Sequence, residues 1–123
     1  IPQRMKFFEE KNEMIVPLGG DSTFIAIPIL EAINSVKLRY KESPNQSFLD
    51  SIDLEKTTYS LKGNLANPKL PLLLITISGE VANHEPNAAL KEVIRQEVRN
   101  KLLDSGIEFA KYLAGASILF NDY

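Results

Sequence analysis

The chain has no cysteine, and its only histidine is His84. Without thiols it cannot form a disulfide scaffold, a thiolate metal site or a cysteine nucleophile. A metal site would have to draw its ligands from Asp and Glu side chains, because a second imidazole is also missing. An absence of cysteine is compatible with export, so we expect an extracytoplasmic location rather than a cytoplasmic one.

A strong net charge and long apolar runs are missing as well. Fourteen Lys and Arg residues against sixteen Asp and Glu residues give a formal net charge of −2. This near-neutral balance provides no broad attraction to nucleic acid or anionic lipid, so no nucleic-acid partner is expected. The longest apolar stretch, residues 70–75, is far shorter than the roughly 20 residues that a transmembrane helix needs.

The sequence starts at Ile1 rather than at methionine. We therefore expect a processed product or a fragment, and any signal peptide or membrane anchor would precede Ile1. The composition is that of a globular domain, since 44% of the residues are apolar and 24% are charged. A length of 123 residues fits one domain, which we place at residues 14–123 after a polar lead-in segment or connector at residues 1–13.

Alternation of apolar and polar side chains predicts several strands. Residues 70–81 give the clearest pattern, and residues 57–65 alternate in the same way, so these two segments predict an antiparallel hairpin. Residues 14–18 predict a short strand. Because Pro17 has no amide hydrogen to donate to a neighbouring strand, this strand is expected at an edge of the sheet. Residues 22–27 are rich in β-branched and aromatic side chains and predict a second strand after a glycine turn.

One long amphipathic helix is predicted over residues 87–104. Apolar side chains recur there at steps of three and four residues, from Leu90 to Leu102. Asn87 is suited to the N-cap position, and Gly106 is suited to a left-handed C-terminal cap.

Two other segments allow alternatives. Residues 28–37 predict a helix that begins at Pro28, where a missing amide donor costs nothing, but residues 36–40 also alternate as a strand would. Residues 107–120 are largely apolar. They form either a strand at residues 116–120 or a further helix from Ile107 to Leu119.

The predicted order is strand, strand, helix, strand, strand, helix, strand. This order indicates an α+β domain of two layers, in which a mainly antiparallel sheet carries its helices on one face. A ferredoxin-like topology is the nearest common template.

Gly19, Gly20 and Ser22 belong to the one glycine-rich loop of the chain. Backbone amides in such a loop can bind an anion, so a small-ligand or anion-binding domain is one alternative function. The loop lacks the lysine and spacing of a P-loop and the three glycines of a dinucleotide site, and Asp21 would repel an anion. A hairpin turn is the commoner use of such glycines.

His84 is the candidate general acid or base of a further alternative, an enzyme. It follows the predicted strand and precedes the predicted helix, where an exposed histidine without a catalytic role is common. No catalytic residue, cofactor or metal ion is therefore assigned.

The C-terminal residues are unusually apolar for a chain terminus. The candidate interaction surface consists of Leu113, Ile118, Leu119 and Phe120. We expect this tail to dock into its own domain or to meet another chain. The leading hypothesis is a non-enzymatic protein-interaction or assembly domain, the soluble portion of a membrane-anchored protein. It would bind another protein, or a second copy of itself, through its sheet edge or its helical face.

Overall fold

A computed structural model describes residues 14–19, 23–42, 46–63, 65, 69–77 and 88–122. Its elements in chain order are β1 (Met14–Pro17), α1 (Thr23–Arg39), α2 (Gln46–Ser51), β2 (Thr58–Lys62), β3 (Leu72–Ile77), α3 (Ala88–Asp104), α4 (Glu108–Leu113) and β4 (Ser117–Asp122). The predicted lead-in segment at residues 1–13 and the predicted cap at Asn87 lie outside the described residues.

The described strands form one mixed sheet in the order β1-β2-β3-β4. The pairs β1–β2 and β2–β3 are antiparallel, whereas β3 and β4 are parallel. The predicted hairpin and the edge position of the strand that contains Pro17 are thus confirmed. The ferredoxin-like topology is not confirmed. That fold is built from split β-α-β units, but here Leu73 of β3 pairs directly with Ile118 of β4.

The helices pack on one face of the sheet, which confirms the predicted two-layer α+β architecture. Along β3, Leu73, Ile75 and Ile77 are fully buried, while the alternate side chains are only half-buried. The helical layer adds core side chains at helical spacing. These are Ile25, Ala26, Ile29, Ala32, Ile33 and Val36 from α1 and Leu90, Ile94, Val98 and Leu102 from α3.

The predicted strand at residues 22–27 is wrong, because α1 begins at Thr23 and continues without interruption to Arg39. The burial of one helical face outweighs the strand preference of its β-branched residues. Pro28 is consequently the sixth residue of α1 rather than its first. The amide hydrogen that proline lacks is the one that would have bonded to the carbonyl group of Phe24.

The second half of the chain follows the predicted periodicity more closely. Helix α3 spans Ala88–Asp104, and Gly106 has a φ of 78°, which confirms the predicted left-handed cap. After it, β4 at Ser117–Asp122 agrees with the predicted strand at residues 116–120. The alternative helix from Ile107 to Leu119 is wrong beyond Leu113, where α4 ends.

Candidate interaction surfaces

Most residues of the predicted ligand and catalytic sites lie outside the described residues. Gly20, Ser22 and His84 are among these, so their proposed roles stay predictions. Gly19 is described and is exposed in the turn that follows β1. Its φ is not left-handed, unlike that of Gly106, and the space beside its Cα is open.

The predicted C-terminal surface is divided between the core and the surface of the domain. Leu113 and Ile118 lie in the core of their own chain, at 0% and 2% exposure, and Phe120 packs against that core. Leu119 points the other way and remains 48% exposed. The tail therefore docks into its own domain as β4, and Leu119 is the member of the predicted set that leaves most apolar surface in water.

Alternate residues of the strands form a second face, opposite the helices, which we call the outer sheet face. It consists of Ile15, Pro17, Thr58, Ser60, Lys62, Leu72, Leu74, Thr76, Ser117 and Leu119. The strand register aligns four of them in one row across the sheet, in the order Ile15, Ser60, Leu74, Leu119. The row is apolar except for Ser60, which is buried at 4% exposure, and its two ends are the most open, with Ile15 66% exposed and Leu119 48% exposed.

Sequence reasoning missed most of this row. A signal was nevertheless present in β3, where Leu72 and Leu74 are apolar as well as the buried Leu73 and Ile75. A strand that is apolar on both faces is typical of a sheet covered on both sides. The helices described here cover one side.

The far edge of the sheet is held by arginine side chains from α3. Arg95 donates from Nε to the carbonyl oxygen of Ile118 at 2.7 Å, and Arg99 donates from Nη2 to that of Ala116 at 3.4 Å. A strand added at this edge would compete with these side-chain donors for the carbonyl groups. The outer sheet face is therefore a more accessible apolar surface than the β4 edge.

Charge on the helical side of this edge is locally compensated. Glu92 accepts hydrogen bonds from Gln96 at 2.8 Å and from Arg95. The bond from Gln96 has the larger effect, and together with the bond from Arg95 it lowers the pKa of Glu92 below its ordinary value.

Tyr112 is a residue of α4, and burial raises its pKa. Its hydroxyl donates a hydrogen bond to the carbonyl oxygen of Lys69 at 2.8 Å.

Within the described part of the chain, no cluster of three or more His, Asp or Glu side chains is placed to hold a metal ion. None of the helices described there combines the length and the apolar composition that a bilayer crossing requires. The chain matches no protein-family model, and no curated protein or solved structure shows significant similarity to it.

Proposed function

We propose that this chain is a protein-interaction domain that assembles with a second copy of itself through the outer sheet face. The observation that supports this proposal is the row formed by Ile15, Ser60, Leu74 and Leu119, on a face that no described helix covers. Removing apolar surface from water favours association by about 25 cal/mol per Å². A surface that covers the row would therefore gain binding free energy.

The chemistry of this face favours an identical partner. Lys62 is the one charged residue among the outward-facing positions of the described strands, and the residues beside the apolar row include Thr58, Thr76 and Ser117. Two such faces meet with little repulsion between like charges. A two-fold axis would place the row of one copy across the row of the other, which is the self-complementary arrangement of most homodimers.

The size of the face sets the expected affinity. Four strands about 4.8 Å apart and roughly 14–20 Å long present on the order of 300–400 Å² of flat sheet in each copy. Stable interfaces usually bury about 800 Å² on each partner. We therefore expect a weak dimer whose dissociation constant is micromolar or higher, with the two sheets about 10 Å apart.

Sedimentation velocity over a roughly hundredfold range of protein concentration tests the proposal. The sedimentation coefficient of the natural chain should rise with concentration. Leu119→Lys should keep the protein monomeric, because it places a charge in the apolar row. Leu38→Lys is the matched control, since Leu38 is a 72% exposed leucine on α1, in the helical layer.

A natural chain that stays monomeric at the highest concentration would refute the proposal. So would equal association of the Leu119→Lys and Leu38→Lys variants. Both positions are exposed, so neither substitution should unfold the domain, and circular dichroism checks this directly. The placement of the domain outside the cytoplasm, as the soluble portion of a membrane-anchored protein, stays a prediction from the sequence.

A further inference from the structure

A groove on the helical layer lies apart from the outer sheet face. It forms where the first turns of α1 meet the end of α3, and it encloses about 340 Å³. This volume is at the lower end of the range typical of small-ligand sites, about 300–1,000 Å³. It is large enough for one bulky side chain of a partner, but not for a whole domain.

The apolar part of the groove is exposed and held in place by the core. Phe24, Ile27 and Ile107 line it at 39%, 48% and 41% exposure. The ring of Phe24 meets that of the buried Phe109 edge to face, with 5.4 Å between centroids. Because the Phe24 ring already packs against the core, a ligand that binds beside it loses less free energy to ordering of that side chain.

The rim of the groove carries three charged side chains, Glu31, Lys101 and Asp104. Among the described residues none of the three forms an ion pair, whereas further along the same two helices Arg39 pairs with Glu97 at 3.2 Å. The sum of the rim charges is −1.

Asp104 is also the last residue of α3, where the carbonyl groups of the final turn add negative potential, although that of Leu102 accepts hydrogen bonds from Ser105. Thr23, the first residue of α1, also lines the groove, and the amide groups of that first turn add positive potential. The preference for a cation therefore rests on the carboxylates of Glu31 and Asp104.

We propose that this groove binds a peptide segment in which a large apolar side chain lies next to a lysine or arginine. The apolar side chain would pack between Phe24, Ile27 and Ile107, and the cation would pair with Glu31 or Asp104 on the rim. This inference does not depend on the self-association proposed above, because the groove and the outer sheet face share no residue.

The test uses two short probes of opposite charge, acetyl-Lys-Phe-Lys-amide and acetyl-Glu-Phe-Glu-amide, titrated into the ¹⁵N-labelled full chain. The basic peptide should shift the amide resonances of residues 23–31 and 101–107, with millimolar affinity. The acidic peptide should bind up to about fivefold more weakly, which is the range expected for exposed ion pairs. Added salt should reduce this difference, because the rim charges are solvent-exposed.

Two matched variants locate the binding. Ile27→Ser should weaken the binding of the basic peptide several-fold. Leu103→Ser should not, although Leu103 is a 51% exposed apolar residue of α3 near the groove, because it does not line it. Neither substitution touches the outer sheet face, so the oligomeric state should be that of the natural chain.

Three results would overturn the inference. The first is no shift at residues 23–31 and 101–107 at millimolar peptide. The second is equal binding of the two peptides at low salt, and the third is equal weakening by Ile27→Ser and Leu103→Ser. None of these results bears on self-association, which sedimentation measures separately.

Discussion

Arg95 of α3 donates a hydrogen bond from Nε to the carbonyl oxygen of Ile118 in β4, at a distance of 2.7 Å. The same guanidinium lies 5.3 Å from the centre of the Phe120 ring and also bonds to Glu92. The side chain of Arg95 thus links β4 to the helical layer. No helix of the described residues covers the opposite face of the sheet.

The first prediction concerns this arginine. Arg95→Met should lower the free energy of unfolding by about 1–3 kcal/mol, because it removes a charge-assisted hydrogen bond and a cation–π contact. Arg95→Lys keeps the charge but loses the planar donor group, so it should recover part of this loss. Urea denaturation measures both variants. An Arg95→Met variant as stable as the natural chain would show that the contact does not hold β4 in place.

The second prediction concerns acid. Hydrogen bonds from Gln96 and Arg95 lower the pKa of Glu92 in the folded state. Its contribution to stability is therefore present above the unfolded-state pKa, about 4.3, and is lost as the pH falls through the lower folded-state value. Melting temperatures of the natural chain and of Glu92→Gln should differ slightly at neutral pH and converge in acid. A difference that persists or grows in acid would contradict the prediction.

The third prediction concerns the two faces of β3. Leu73 is fully buried against the helices, whereas the adjacent Leu74 is half-buried on the outer sheet face. Leu73→Ala should cost about 2–5 kcal/mol of unfolding free energy. Leu74→Ala should cost clearly less and should instead weaken the dimer. Denaturant titrations of the two variants at low protein concentration separate these effects. Equal losses of stability would mean that both sides of the sheet are covered within one chain.

The fourth prediction concerns the end of α3. Gly106→Ala should destabilise the domain by about 1–2 kcal/mol, because the φ of 78° at Gly106 disfavours any residue with a Cβ atom. Gly115→Ala is the control. An added Cβ at Gly115 would lie 3.6 Å from the carbonyl oxygen of Tyr112, an ordinary contact. Thermal unfolding should rank the two variants clearly, and equal melting temperatures would contradict this account of the cap.

The pattern of apolar residues predicted those elements in which buried side chains recur at the regular spacing of either a strand or a helix. The hairpin of β2 and β3, the helix α3 and the left-handed turn at Gly106 all follow from patterns within a few residues. Residues 23–27 of the first helix were mispredicted as a strand for the same reason. The β-branched residues of this helix favour a strand locally, while its burial pattern in the folded domain is helical.

The strand order and the apolar row could not be predicted from the sequence, because both depend on contacts between residues that are far apart in the chain. Leu74 and Leu119 are neighbours only because α3 and α4 return the chain parallel to β3. Ile15 lies at the other end of the row, where it pairs with Ser60, which in turn pairs with Leu74. The sequence indicated that the tail was too apolar for a terminus, but only the strand register shows which of its side chains remains exposed.

An isotope-filtered NOE experiment tests self-association through the outer sheet face most directly. Equal amounts of ¹³C-labelled and unlabelled chains are mixed at the highest soluble concentration. Contacts between copies should then appear among the methyl groups of Ile15, Leu74 and Leu119. If no contacts between copies involve these methyl groups, or if they come instead from Leu38 and Leu103 of the helical layer, the proposed interface is contradicted.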